Sequence, residues 1–130
     1  MDDLIEVEMG EWDGRLVKDL FEQDGELLAR WMRNPSSVTL PGGEDFNAVR
    51  ARTESALAKL TERHAEGPPA LVVSHGGPIR MMLCQTLRMD IDDMLRIEIE
   101  LASISSIAFF PEGIDKSGIV TLTNDTSHLK

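Results

Sequence analysis

Leu71-Val72-Val73-Ser74-His75-Gly76-Gly77-Pro78 is the stretch that decides the fold. With Ala70 in front, it opens as a short apolar run rich in β-branched residues. Such a run reads as a strand buried on both faces, as in a parallel sheet. Two glycines then turn the chain, and Pro78 is well placed as the first residue of a helix running from Ile79 to about Arg88. In open α/β sheets ligands bind beyond the carboxyl ends of strands. Backbone N–H groups at a helix N-terminus suit an anion such as phosphate, and glycine lets the backbone approach it closely. A histidine such as His75 can donate a hydrogen bond to a phosphoryl oxygen. A structural histidine beside an ordinary loop accounts for the same residues.

Working outward, Phe46, Val49, Thr53, Leu57 and Leu60 form one stripe of a helix. Glu44 and Asp45 stand at its positive end, and Gly67-Pro68-Pro69 stops it. Leu16, Leu20, Leu27, Leu28 and Trp31 fall near helical spacing, so residues 15–33 read as helical with a break near Gly25. Leu4 to Met9 alternates loosely and suggests a short extended segment. Asp90 to Leu95 adds a helical turn, and 97–101, 103–110 and 118–123 read as strands. Strands alternating with helices give an α/β fold in one domain, residues 1–130.

Composition bounds the chemistry. The chain carries 13 Lys and Arg against 23 Asp and Glu, a formal charge of -10. That balance argues against nucleic-acid binding, which needs a basic face, but leaves room for a phosphate site built from a few local donors. The single cysteine, Cys84, excludes an intrachain disulfide and suits a cytoplasmic setting. No apolar run is long enough to span a bilayer, and Met1-Asp2-Asp3 lacks the basic start of a signal peptide. Met81, Met82, Leu83 and Cys84 read as packing against the sheet rather than as a cofactor box. Arg80 either reaches an anion from the first helical turn or is an exposed helix residue. Trp12 and Trp31 read as core or lid residues, and Asn124-Asp125 as the end of the last strand.

A general acid is also needed, because removing a phosphoryl group from an alcohol leaves a poor leaving group. Leu4 to Gly14 holds several carboxylates. Glu6 lies between Ile5 and Val7, so partly apolar surroundings are expected to raise its pKa and keep it protonated. A solvated acidic edge is the alternative.

Four blocks in order resemble the histidine phosphatase superfamily, phosphoglycerate-mutase-like, of the alpha-ribazole phosphatase or broad-specificity type. Leu4-Ile5-Glu6 with Gly10-Glu11-Trp12-Asp13-Gly14 is similar to its L-x-E-x-x-x-G-x-W-E-G block, Asp13 standing for the usual Glu. Pro41-Gly42-Gly43-Glu44-Asp45-Phe46 with Arg52 is similar to its P-G-G-E-S-F block and the following arginine. Val72 to Arg80 resembles V-V-S-H-G-G-x-I-R, and Asn124-Asp125 with His128-Leu129 its N-D-x-x-H-L ending. The resemblance implies a three-layer αβα sandwich with a mostly parallel sheet. It implies phosphomonoester hydrolysis through a phosphohistidine on a small phosphorylated metabolite, without metal or other cofactor. His75 matches the second active-site histidine, Glu6 the proton donor, and the Gly76 N–H a phosphate contact. A short segment between Glu6 and Gly43-Glu44, with His75-Gly76-Gly77 rather than H-G-N, favours phosphatase over phosphoglycerate mutase.

The family's phosphate-accepting histidine sits in an Arg-His-Gly motif on the first, central strand. The three histidines here are His64, His75 and His128, and none lies in such a motif. His64 reads as an exposed residue near a helix end, and His128 belongs to the closing block. The chain is therefore expected to be an N-terminally truncated domain, inactive alone, with strand 71–74 left as an unpaired edge. A fragment of a longer protein, a homodimer or complementing N-terminal segment, or a non-catalytic phosphate-binding or interaction domain each accounts for this.

Overall fold

The structure is a computed structural model that describes residues 1–110 and 118–130. Its scaffold is two packed helices, α3 (Phe46–Arg63) and α4 (Gly76–Leu87). α3 starts where the sequence provides a cap. The Asp45 carboxylate accepts hydrogen bonds from the N–H groups of Asn47 (2.7 Å) and Ala48 (3.2 Å), which satisfies donors the helix cannot use internally. Phe46, Val49, Thr53, Ala56 and Leu57 form its buried stripe. Thr53 is tolerated there because its hydroxyl donates to the carbonyls of Val49 and Arg50 within the helix. Against this stripe α4 packs Met81, Leu83 and Cys84, joined by Ile91, Met94 and Ile97 from the segment that follows.

A second core lies under α1 (Val17–Gln23) and α2 (Gly25–Arg33), where Trp12, Leu20, Leu28, Val38 and Leu40 are buried together. The helical reading of 15–33 is met, with the break at Asp24. Trp31 joins the two cores. Its ring stands edge-on to Trp12 at 5.9 Å and to Phe46 at 5.7 Å, a favoured aromatic geometry. Trp12 is a core residue. Leu4 reaches a third cluster with Ala56, Leu57 and Met82, which seats the N-terminal segment on both scaffold helices.

The sheet is smaller than expected. β1 (Ile104–Ala108) pairs antiparallel with β2 (Ile119–Asp125), Ile107 opposite Val120 and Ala108 opposite Ile119, and the register is irregular between Ile104 and Ile107. Asn124 closes β2 in a left-handed conformation (φ 55°), as its side chain permits. Neither a mostly parallel sheet nor three layers is formed by the described residues. Residues 70–74 are not a strand: Leu71 is 92% and Val73 88% exposed. A strand is held by a ladder to a neighbour, and this run has none beside it among the described residues. Residues 97–101 likewise form no strand, since Ile97 turns into the first core and the chain bends at Leu101. α4 begins two residues before Pro78, and α3 ends at Arg63, before Gly67. The strand readings of 103–110 and 118–123 are met by β1 and β2; residues 111–117 lie outside the described residues. Among those described, no helix is long and apolar enough to cross a membrane.

Candidate active site

His75 is the residue at which extended backbone becomes helix. It is the N-cap of α4 with φ -117° and ψ 167°, and its side chain makes no capping bond. The imidazole is exposed. The first turn of α4 supplies few free donors, because Pro78 has no N–H and the Ile79 N–H is engaged by the His75 carbonyl at 3.0 Å. The Gly77 N–H is held by Glu6, donating to Oε1 at 3.1 Å. That leaves the Gly76 N–H, which meets no acceptor among the described residues.

Glu6 is thus brought to the start of α4, two residues from His75. Its Oε1 also accepts the Val7 N–H at 2.9 Å. The contact explains the second glycine. A Cβ on Gly77 would lie 2.5 Å from Glu6 Oε1 and 2.6 Å from Val7 Cγ2. The expected apolar surroundings of Glu6 are not found. Glu6 is exposed, as is Ile5; only Val7 turns inward. Apolar residues flanking Glu6 in sequence therefore do not enclose it.

The segment carrying Glu6 is fastened at several points. Ser74 Oγ donates to the Leu4 carbonyl at 2.8 Å, and Lys59 pairs with Asp3 at 3.0 Å. The largest fastening is Arg52 on α3. Its Nε and Nη2 grip Glu44 Oε1 and Oε2 at 2.8 and 3.0 Å. Nη1 donates to the carbonyls of Asp3 (2.7 Å) and Ile5 (3.0 Å), and Nη2 more weakly to that of Glu6 (3.4 Å). The guanidinium bond holds the Glu44 carboxyl below its ordinary range, against the opposing effect of burial. Glu44 is itself fixed, because its N–H donates to the Glu8 carbonyl at 2.8 Å. Beside it, Gly10 (φ 58°) packs directly against Pro41, Gly42 and Gly43, an approach open only to glycine.

Of the residues singled out in the sequence, His75, Gly76 and Glu6 therefore gather at one helix start. His64 caps the far end of α3, and His128 lies in the closing turn 127–129. Arg80 is not an exposed helix residue. It is half-buried, donates from Nε to the Ile97 carbonyl at 2.7 Å, and its Nη1 lies 3.0 Å from where a Cβ on Gly76 would stand. Cys84 is buried, and burial, with Asp93 and Asp90 nearby, pushes its thiol up to about 11. A hollow of about 330 Å³ beside Arg50, Cys84 and Arg88 contains none of these three site residues. The roles of Arg52 and Glu44 were missed in the sequence; the signal was an acidic residue closing a Pro-Gly-Gly turn, with an arginine eight positions on.

The chain matches the profile of the Histidine phosphatase superfamily (branch 1) over residues 1–121. It is 36% identical to the Mycobacterium tuberculosis protein named Bifunctional protein Rv2228c, over 98% of this chain and 34% of that protein. It is 31% identical to Phosphoserine phosphatase 1 of Hydrogenobacter thermophilus, over 98% of this chain and 58% of that enzyme. Its fold superposes on the solved structure of Bacillus stearothermophilus YhfR with a TM-score of 0.82 at 22% identity, covering 100% of this chain and 62% of that one. The chain thus spans between 34% and 62% of the length of these relatives.

Proposed function

The chain belongs to the histidine phosphatase superfamily, and from that premise we propose that it forms part of a phosphomonoesterase acting on a small phosphorylated metabolite. The observation that carries the reading is the Gly77 N–H bond to Glu6, which sets a carboxyl group and a histidine at the same helix start. In this reading His75 and the Gly76 N–H receive the phosphoryl oxygens. Positioned donors suit the charge that develops there. Glu6 passes a proton to the departing alcohol oxygen. Two N–H groups already occupy Oε1, which leaves Oε2 to face that oxygen. The phosphoryl group passes to a histidine from polypeptide outside these 130 residues, and water then releases phosphate from it.

The same arrangement gives the exposed Leu71 and Val73 a purpose. A strand from the complementing polypeptide, or from a second copy, would pair along 70–74 and complete a parallel sheet. Its end would then deliver the accepting histidine beside His75. A phosphoserine phosphatase among the relatives supports a small metabolite as substrate; a cobalamin-precursor nucleoside phosphate is another candidate.

Complementation tests this. The chain is combined with an Arg-His-Gly-bearing N-terminal segment from a relative, and p-nitrophenyl phosphate turnover is followed. Turnover is expected only in the combination. His75→Ala should lower it about 10²-fold or more, the usual cost of losing a transition-state donor. Turnover that survives His75→Ala would put the site elsewhere.

A further inference from the structure

Arg52 lies on α3, while Glu6 meets α4. The two are linked by backbone. All five guanidinium N–H groups of Arg52 have an acceptor: two carboxylate oxygens of Glu44 and the carbonyls of Asp3, Ile5 and Glu6. The side chains of Arg52 and Glu44 are only 17% and 23% exposed. A surface ion pair needs no such arrangement. Here the carboxylate orients the planar fork, and the remaining donors clasp the strip of main chain that presents Glu6.

We propose that Arg52 and Glu44 are positioning residues that set the Glu6 carboxyl against the N-terminus of α4. This rests on the reading of Glu6 as the proton donor, but its geometric content stands apart from any activity. With Arg52 fixed by Glu44, the carbonyls at 3, 5 and 6 have one allowed arrangement. The Glu6 side chain then leaves the backbone towards Gly77. Released from the clasp, residues 3–6 keep Leu4 in its apolar seat and Ser74 on the Leu4 carbonyl, yet Glu6 loses its fixed aim. A lysine cannot replace the arginine, because three donors radiating from one nitrogen cannot match a planar fork.

The test reads the Glu6–Gly77 bond directly. In the full chain labelled with 15N, the Gly77 and Val7 amide signals are followed as pH is lowered through the carboxylate range. Both are expected to move in one shared transition, which Glu6→Gln abolishes. If Glu6→Gln leaves that transition in place, Glu6 is not on Gly77, and the proton-donor reading falls with the proposal. Arg52→Lys and Glu44→Gln are then compared, with the Trp12 and Trp31 indole signals reporting that the fold persists. Loss of the Gly77 transition in whichever variant stays folded supports positioning. An unchanged Gly77 transition in a folded variant shows the clasp to be structural only and overturns the proposal, while leaving the role of Glu6 intact. Should neither variant keep its indole signals, the clasp is a folding determinant and the proposal is likewise overturned.

Discussion

Single residues at the helix start are constrained by contact. Gly77 is the tightest case, since any Cβ there collides with Glu6 and Val7. Gly77→Ala should destabilise the chain by about 1–3 kcal/mol in chemical denaturation, and should displace Glu6. Gly25, whose added Cβ would meet nothing within 4 Å, provides the control; alanine there should not lower stability. Cys84 makes the opposite kind of statement. It is 3% exposed and its thiol is pushed up to about 11, so little thiolate forms at neutral pH. A thiol reagent should modify it only as the chain unfolds, and rapid labelling of native protein would refute the described packing. That His75 and Gly76 stand at a helix start was legible because a strand-like run, a histidine and two glycines carry a local meaning; Glu6 was singled out as the proton donor only through the resemblance of its block. The surroundings of Glu6 were not legible, because Ile5 and Val7 say nothing about which side of the segment faces the core.

Among the elements, α3 was the most legible: its stripe, its acidic start and its approximate length all follow from sequence. The ring of Phe46 ties it to α2 through Trp31, and Phe46 is 2% exposed. Phe46→Ala should cost about 3–5 kcal/mol, enough to unfold a marginal domain, with loss of near-ultraviolet circular dichroism as the readout. Asp45→Ala should lower Tm by removing the cap. The strand reading of 70–74 shows where local sequence stops being informative. Valines and leucines state a preference for extended backbone, but a ladder also needs a neighbour, and that neighbour is no part of the run itself. For 97–101 the same preference lost to tertiary packing, since Ile97 is drawn under α4.

At the scale of the molecule, acid should weaken the structure through Glu44. Its folded pKa lies below its ordinary value of 4.5 because Arg52 bonds the charged form. The stabilisation is therefore complete above 4.5 and is lost as pH falls through the lower folded value. Glu44→Gln should cost about 1.5–3 kcal/mol at neutral pH and flatten the acid limb of a stability–pH profile. An acid limb identical to that of the unaltered chain would contradict this sign. The exposed Leu71, Val73 and Leu101 and the formal charge of -10 act against each other. Charge keeps chains apart at low salt, and screening removes that barrier. Sedimentation should show association rising with salt, and falling when a strand-forming segment covers 70–74. The apolar faces of the helices were legible in outline. The extent of the sheet was not, because it depends on residues far apart in sequence, or on another chain.

In the proposed reading His75 and the Gly76 amide face an oxyanion. That is tested most directly by adding inorganic phosphate to the 15N-labelled chain. Concentration-dependent changes are expected, confined to the His75 imidazole and to the Gly76, Gly77 and Val7 amides, and lost in His75→Ala. Changes centred instead on the hollow beside Arg50 and Arg88, or no changes at any phosphate concentration, would contradict it.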